Sequence, residues 1–175
     1  MNVKDAITKR SSTRGYTEEA LTDEELKLIL EAGLKAPTAA NKQEIFFSVL
    51  KGDNPVLKEL EDEKNRLRNI DKAEHNFYYE APTVIFLSAD KEYKWSPLDA
   101  GIAVENMALQ AEELGLGNLI IGCVYDALRG DRREEFESKL GIPAGYEYEI
   151  AIAVGHKGME KTPHSYDWDK QVKVI

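Results

Sequence analysis

The sequence predicts an α+β fold in three layers, a central sheet flanked by helices, and three observations carry that prediction. Helix-patterned and strand-patterned segments alternate along the chain. The segment "TVIFLSA" (83–89) is a continuous apolar run, the pattern of a strand buried on both faces. The segment "LDAGIAVENMALQAEELG" (98–115) is apolar or small on most sides, which suits a central helix. A length of 175 residues favours one domain spanning 1–175. No internal repeat, low-complexity stretch or long linker interrupts it.

The elements follow in order. Asn2 can cap a short helix through Lys9, with Val3, Ala6 and Ile7 on one face. Thr22 with Glu25 three residues later forms a capping box. It opens a helix carrying Leu26, Ile29, Leu30 and Leu34 that ends near Pro37. "IFFSVL" (45–50) reads as a strand, and Pro55 stands near the start of a charged helix running to about Ile70. Ser96-Pro97 reads as an N-cap followed by proline at the first helical position of the central helix. "GNLIIGCV" (117–124) and "YEIAIAVG" (148–155) read as two more core strands, with a short amphipathic helix, "DRREEFESKLGI", between them. That makes four core strands and five or six helices. The closing "VKVI" (172–175) alternates like a strand but has no hairpin partner in its own chain, so it is expected to pair with another subunit.

Composition narrows the function. The formal net charge is -9, which argues against nucleic acid or an anionic membrane as the main partner, because both repel an acidic surface. The opening "MNVKDAITKR" has no apolar core of a secretory signal, and no apolar run approaches the length of a membrane span. The single cysteine, Cys123, forms no disulfide within the chain, and a reducing cytoplasm is the expected location. No Walker A sequence occurs, and the glycines at 115, 117 and 122 lack dinucleotide-fingerprint spacing. The three histidines, His75, His156 and His164, show no metal spacing, and no serine sits in a nucleophile elbow. If the protein is an enzyme, a cofactor carries the chemistry and no side chain is nominated as catalytic.

Two stretches stand out against that background. "KRSSTRGY" (9–16) puts three cations together with the hydroxyls of Ser11, Ser12 and Thr13, and no carboxylate occurs from Lys9 to Thr17. Arginine forks at Arg10 and Arg14, with Ser11, Ser12 and Thr13 between them, suit a phosphate. The competing reading is a solvated helix end whose basic residues face the helix dipole. "KAPTAANKQ" (35–43) combines small residues with Thr38, Asn41 and Gln43, whose amides can both donate to and accept from a ring edge. The competing reading there is an ordinary helix-ending loop.

With "DAGIAVENMALQAEELGLGNLIIG" (99–122), the chain resembles the nitroreductase-like flavoproteins. The resemblance runs in order through "KRSSTRGY", "APTAANKQ", "APTVIFLSA", the "DAGIA…LGLG" helix and "EIAIAVGHK", nearly the whole chain. It implies a nitroreductase-like fold with a mostly antiparallel or mixed sheet. It implies bound FMN, NADH or NADPH as electron donor, and a homodimer. Arg10, Ser11, Ser12 and Arg14 fall where the family holds the FMN phosphate and ribityl chain. Pro37, Thr38, Ala39, Asn41 and Gln43 fall on a loop near the isoalloxazine of the other subunit's flavin. Leu119, Ile121 and Gly122 fall on the strand end that touches the ring, and Asp99 and Gly101 on positions that look structural.

Two departures from the family pattern matter. Only "DKEYKW" (90–95) stands where larger members insert a helical excursion, so pocket cover is expected from "NRLRNIDKAEHNFYY" (65–79). The tail lacks the usual arginine, which leaves Lys161 or His164 as the further phosphate contact. Lys42 or Arg14 could place positive charge near the reduced ring. Cys123 reads first as a small core residue, and Phe77, Tyr78, Tyr166 and Trp168 as packing aromatics.

The expected activity is hydride transfer from NAD(P)H through the flavin to an electron-poor small molecule, a nitroaromatic or quinone, in ping-pong order. Three alternatives stay open. One keeps the flavin but changes the reaction to dehydrogenation, ene-reduction or dehalogenation. Another is a flavin-binding protein without significant turnover. The last is a cofactor-free interaction domain.

Overall fold

Strand pairing decides where the candidate residues go. The computed structural model describes residues 1–175 and contains four strands: β1 (Phe46–Lys51), β2 (Thr83–Asp90), β3 (Leu116–Ile121) and β4 (Tyr146–His156). They form one fully antiparallel sheet in the order β1-β2-β4-β3. β1 and β3 are therefore the two edges, and β2 lies inside, as its apolar run requires; seven of its eight residues are buried.

The alternation of side chains along the strands separates two cores. On one face Ile85, Leu87, Ile152 and Val154 pack against α2 (Asp23–Leu34) and α4 (Ser96–Glu113), through Ile29, Ala103, Met107 and Ala111. α1 (Val3–Lys9) packs on α4 from outside. On the other face Val84, Phe86, Leu119, Ile121 and Tyr148 meet α3 (Pro55–Arg68), α5 (Tyr125–Arg129) and α6 (Arg133–Leu140), through Leu57, Leu60, Leu128 and Phe136. A last short helix, α7 (Trp168–Gln171), ends the chain's regular structure. No helix is long and apolar enough to cross a membrane.

The local signals behave as their chemistry requires. Thr22 Oγ1 accepts from the Glu25 N–H at 3.2 Å while Glu25 Oε2 accepts from the Thr22 N–H at 2.8 Å, the full capping box. Asn2 caps α1 through the Asp5 N–H. Two details differ from the sequence reading. Ser96 is not the N-cap of α4; Trp95 holds that position, and the buried Ser96 hydroxyl donates to the Asp90 carbonyl at 2.8 Å. A buried hydroxyl at the end of β2 satisfies a strand carbonyl in preference to helix amides. The strand read over 117–124 runs instead from Leu116 to Ile121, because a turn at Gly122, whose carbonyl accepts from the Tyr125 N–H, opens α5. Residues 172–175 pair with no strand of the chain, and Val174 and Ile175 are fully exposed.

One apolar surface stays uncovered. Trp95, Leu98 and Ile102 follow helical spacing along α4, and the last two are 59% and 42% exposed. Val3 and Ile7 of α1 are exposed as well.

Candidate functional site

The segment after α1 runs along the outer edge of β3. Ser12 pairs with Asn118 in a parallel bridge, the Thr13 N–H donates to the Asn118 carbonyl at 2.8 Å, and Tyr16 bridges to Lys157. Thr13 is buried against Gly117, where an added Cβ would lie 2.8 Å from the Thr13 side chain. Glycine is required there for the segment to approach this closely. Alternation along an extended chain then places Arg10, Ser12 and Arg14 on the side opposite Thr13. The Ser11 hydroxyl faces away from that set and donates to the Lys161 carbonyl at 3.1 Å.

Arg10 and Arg14 have no carboxylate partner in the chain, although most other arginines do. Arg14 lines a cavity of about 200 Å³ with Phe77, Tyr79, Leu119, Ile120, Ile121, Gly122 and Cys123. Its guanidinium sits 5.8 Å from the Tyr79 ring centroid, and Tyr79 in turn packs at 5.3 Å from His75. Tyr79 and Glu80 both hold positive φ, strained geometry for non-glycine residues. The segment expected to cover the pocket thus supplies two of its walls.

Gly122 ends β3 at this cavity. It is exposed, and its φ is not in the left-handed region. An added Cβ would meet nothing nearer than Ile150 Cδ1 at 4.0 Å. Nothing inside the chain demands glycine at this position. Next to it, the buried Tyr148 hydroxyl donates to the Ile121 carbonyl at 2.9 Å and fixes the strand end from below. Burial pushes the Tyr148 phenol far up, so it stays a donor. The Cys123 thiol is also pushed up by burial, against Lys64 and Arg68, which disfavours the reactive thiolate.

The loop at 38–43 is pinned at Ala39. Its N–H donates to Asp99 Oδ2 at 2.9 Å, and its carbonyl accepts from the Tyr93 hydroxyl at 3.0 Å. Thr38 Oγ1 accepts from the Gln43 N–H at 2.9 Å. Between these anchors Ala40, Asn41 and Gln43 are all held at positive φ. Lys42 Nζ lies 3.9 Å from the Tyr93 ring centroid.

The structure therefore unites some of the expected residues and separates others. Arg14, Leu119, Ile121 and Gly122 share one cavity, with Arg10 and Ser12 along the same segment. Pro37, Thr38, Ala39, Asn41 and Gln43 precede β1, at the opposite edge of the sheet. Three strand spacings, about 14 Å, separate the two edges. Lys161 reaches Ser11 through its backbone and lines a polar groove with Lys9, Ser11 and Lys157. His164 is exposed in the tail, with no hydrogen bond or ion pair to the 10–14 segment. Sequence reasoning placed Tyr79 only within the expected pocket cover and did not nominate Tyr93 or Tyr148, because a tyrosine's hydroxyl partner is set by tertiary contact.

The fold and site define a class: an α+β sheet protein with a basic, carboxylate-free segment docked on an edge strand beside an apolar cavity. Comparison with known proteins gives the family. Residues 7–156 match the Nitroreductase family, and the chain belongs to it. A relative from Archaeoglobus fulgidus, provisionally named NADH dehydrogenase/NAD(P)H nitroreductase, is 28% identical over 92% of this chain and 88% of its own. A nitroreductase with bound FMN from Desulfitobacterium hafniense DCB-2 is 31% identical, with each chain covered in full and a TM-score of 0.86. An FMN-dependent nitroreductase from Clostridium difficile R20291 is 26% identical, covers 99% of both chains and gives a TM-score of 0.86.

Proposed function

We propose that this protein is an FMN-dependent NAD(P)H oxidoreductase that works as a homodimer and reduces an electron-poor small molecule, such as a nitroaromatic or a quinone. The observation that carries the reading is the meeting of unpaired cations with an open strand end. Arg10 and Arg14 meet no carboxylate of their own chain, Ser12 lies between them on the same side of the segment, and Gly122 is a glycine that the chain itself does not need. A phosphate against the first set and a planar ring against the second account for both. The solved relative with bound FMN and the FMN-dependent one support the same assignment.

When bound, FMN supplies the hydride acceptor and donor. The chain's own tasks are to bind, orient and shield. Arg10 and Ser12 hold the phosphate by charge-assisted hydrogen bonds. Arg14 places a fixed positive charge at the cavity, where it would stabilise negative charge on a bound ring. Tyr148 stiffens the strand end through Ile121, and Phe77 and Tyr79 restrict water and shape the acceptor space.

The homodimer follows from the separation of the two half-sites. One chain does not bring the Asn41 loop to its own strand end, but a second copy related by a two-fold axis can supply it. The uncovered Trp95, Leu98 and Ile102 stripe offers the apolar surface for that association. The "VKVI" tail would then find a sheet edge on the partner.

An absorbance spectrum of the purified protein, followed by anaerobic titration with NADH and NADPH, tests the cofactor. Stoichiometric FMN bleached by either nucleotide, and reoxidised by a quinone, is expected. Bleaching much slower than turnover allows would leave a flavin-binding protein. Sedimentation of the yellow protein tests the assembly, and a flavin-loaded monomer would overturn the shared site.

A further inference from the structure

Beneath the Asn41 loop lies a carboxyl group with no apparent reason to be there. Glu44 opens the "EIFF" run into β1 and is only 7% exposed. Both of its carboxyl oxygens are buried and find no hydrogen-bond donor. Its neighbour is the buried carboxyl of Asp99, within hydrogen-bonding reach, and Asp99 is the residue whose Oδ2 holds the Ala39 N–H.

Two carboxylates in contact in a buried site cannot both be ionised at tolerable cost, so one proton must lie between them. The surroundings choose its position. Asp99 stands in the first turn of α4, where the helix dipole favours negative charge, and the Ala39 N–H already donates to it. Burial, and then Asp99, push the Glu44 carboxyl up; only the dipole of its own nearby backbone N–H, which makes no hydrogen bond to it, and the Lys42 ammonium oppose them. The remaining titratable group facing the pair is the Tyr93 phenol, itself pushed up by burial and by both carboxyls, so it stays protonated on the Ala39 carbonyl.

We infer that Glu44 and Asp99 share a proton carried by Glu44, and that this acid–carboxylate pair is a positioning device that locks the 38–43 loop in its strained shape. The chain of contacts runs from the Glu44 O–H to Asp99, from Asp99 to the Ala39 N–H, and from there to Asn41. Loss of the proton sets two like charges against each other at the loop's anchor and frees Ala39. The sign follows from linkage. The folded state binds this proton more tightly than the unfolded chain, so the lock is intact at low pH and is lost as pH rises above the ordinary carboxylate range. The consequence for cofactor binding rests on the proposed role of the loop in the partner's FMN site; the pair itself does not.

The test uses the full-length protein in wild-type, Glu44→Gln and Glu44→Ala forms. Glutamine keeps a donor toward Asp99 and cannot ionise; alanine removes it. Amide exchange at Ala39, Asn41 and Gln43 is measured without flavin at about pH 5 and about pH 9, corrected for intrinsic rates, beside the FMN Kd at both. In the wild type, protection of the loop should drop about tenfold at the higher pH. Glu44→Gln should stay protected at both, and Glu44→Ala should be unprotected at both. A wild-type and a Glu44→Gln protein with the same pH dependence would overturn the pair. So would a Glu44→Gln loop as open as that of Glu44→Ala. If loop protection follows the prediction while the FMN Kd does not move, the pair stands and the loop's place in the flavin site falls.

Discussion

Two regions of this molecule use the same side chains to opposite ends. On the face of α3 and α6, cations are consumed internally. Arg132 reaches Glu135, Glu59 and Glu63; Arg66 grips Glu63; Lys139 meets Glu59 and Glu135. Along the edge of β3, Arg10 and Arg14 meet no carboxylate at all. The first arrangement neutralises itself and holds two helices together. The second leaves charge available to something outside the chain. The difference teaches that arginine content says little about anion binding; what matters is whether the neighbouring carboxylates have been removed.

The largest effect in the open region is expected at Gly122. The Cβ of Gly122→Val would come no nearer to the chain than 4.0 Å from Ile150 Cδ1, so the thermal midpoint without flavin should move little. FMN retention should fall by about a hundredfold or more, because the branched side chain would occupy ring space. Unchanged flavin affinity would take the ring away from this strand end.

Next come the two free arginines. Removing one charge-assisted contact should weaken FMN binding roughly ten- to a hundred-fold, more at low salt than at high. Riboflavin, which lacks the phosphate, separates the two residues. Arg10→Ala should spare riboflavin, whereas Arg14→Ala, at the cavity, should weaken both ligands. Equal behaviour of the two variants would mean that they share one role.

The paired region should answer through stability. Arg129 lies between Glu147 and Glu149 on the same face. Glu149 is pushed up to about 7, chiefly by burial, with Arg129 opposing and Glu147 adding. Since the folded state holds that proton more tightly, stability is lost as pH rises from the ordinary carboxylate range through about 7. Glu149→Gln removes the loss. Its unfolding free energy should match the wild type at about pH 4 and exceed it at about pH 8, by on the order of 1 kcal/mol. A variant less stable at both values would show that the Arg129 pairing outweighs the burial.

The smallest effect is expected within the network itself. Arg132→Ala should lower stability only slightly in a urea melt, with most of the loss screened by salt, and should leave FMN affinity unchanged. A change in flavin binding here would erase the contrast between the regions.

Much of this was legible in the chain. The Thr22–Glu25 capping box, the buried run at 83–89 and the carboxylate-free stretch from Lys9 to Thr17 are local patterns, and each structural role follows from neighbours a few residues away. The sequence also marked Gly122 and the Asn41 loop, through family resemblance. What it could not show was their relation. The order β1-β2-β4-β3 puts that loop and that glycine on opposite edges, and strand order depends on pairings between residues far apart in the chain. The same limit hid the Tyr148 hydroxyl under Ile121, the Ser96 hydroxyl on the Asp90 carbonyl and the meeting of Glu44 with Asp99 across 55 positions of sequence. Local chemistry by itself determined the main helices and strands and the basic, carboxylate-free segment. Only tertiary packing decided which buried polar groups face one another, because burial removes water as a partner and leaves each group to whatever the fold brings within reach.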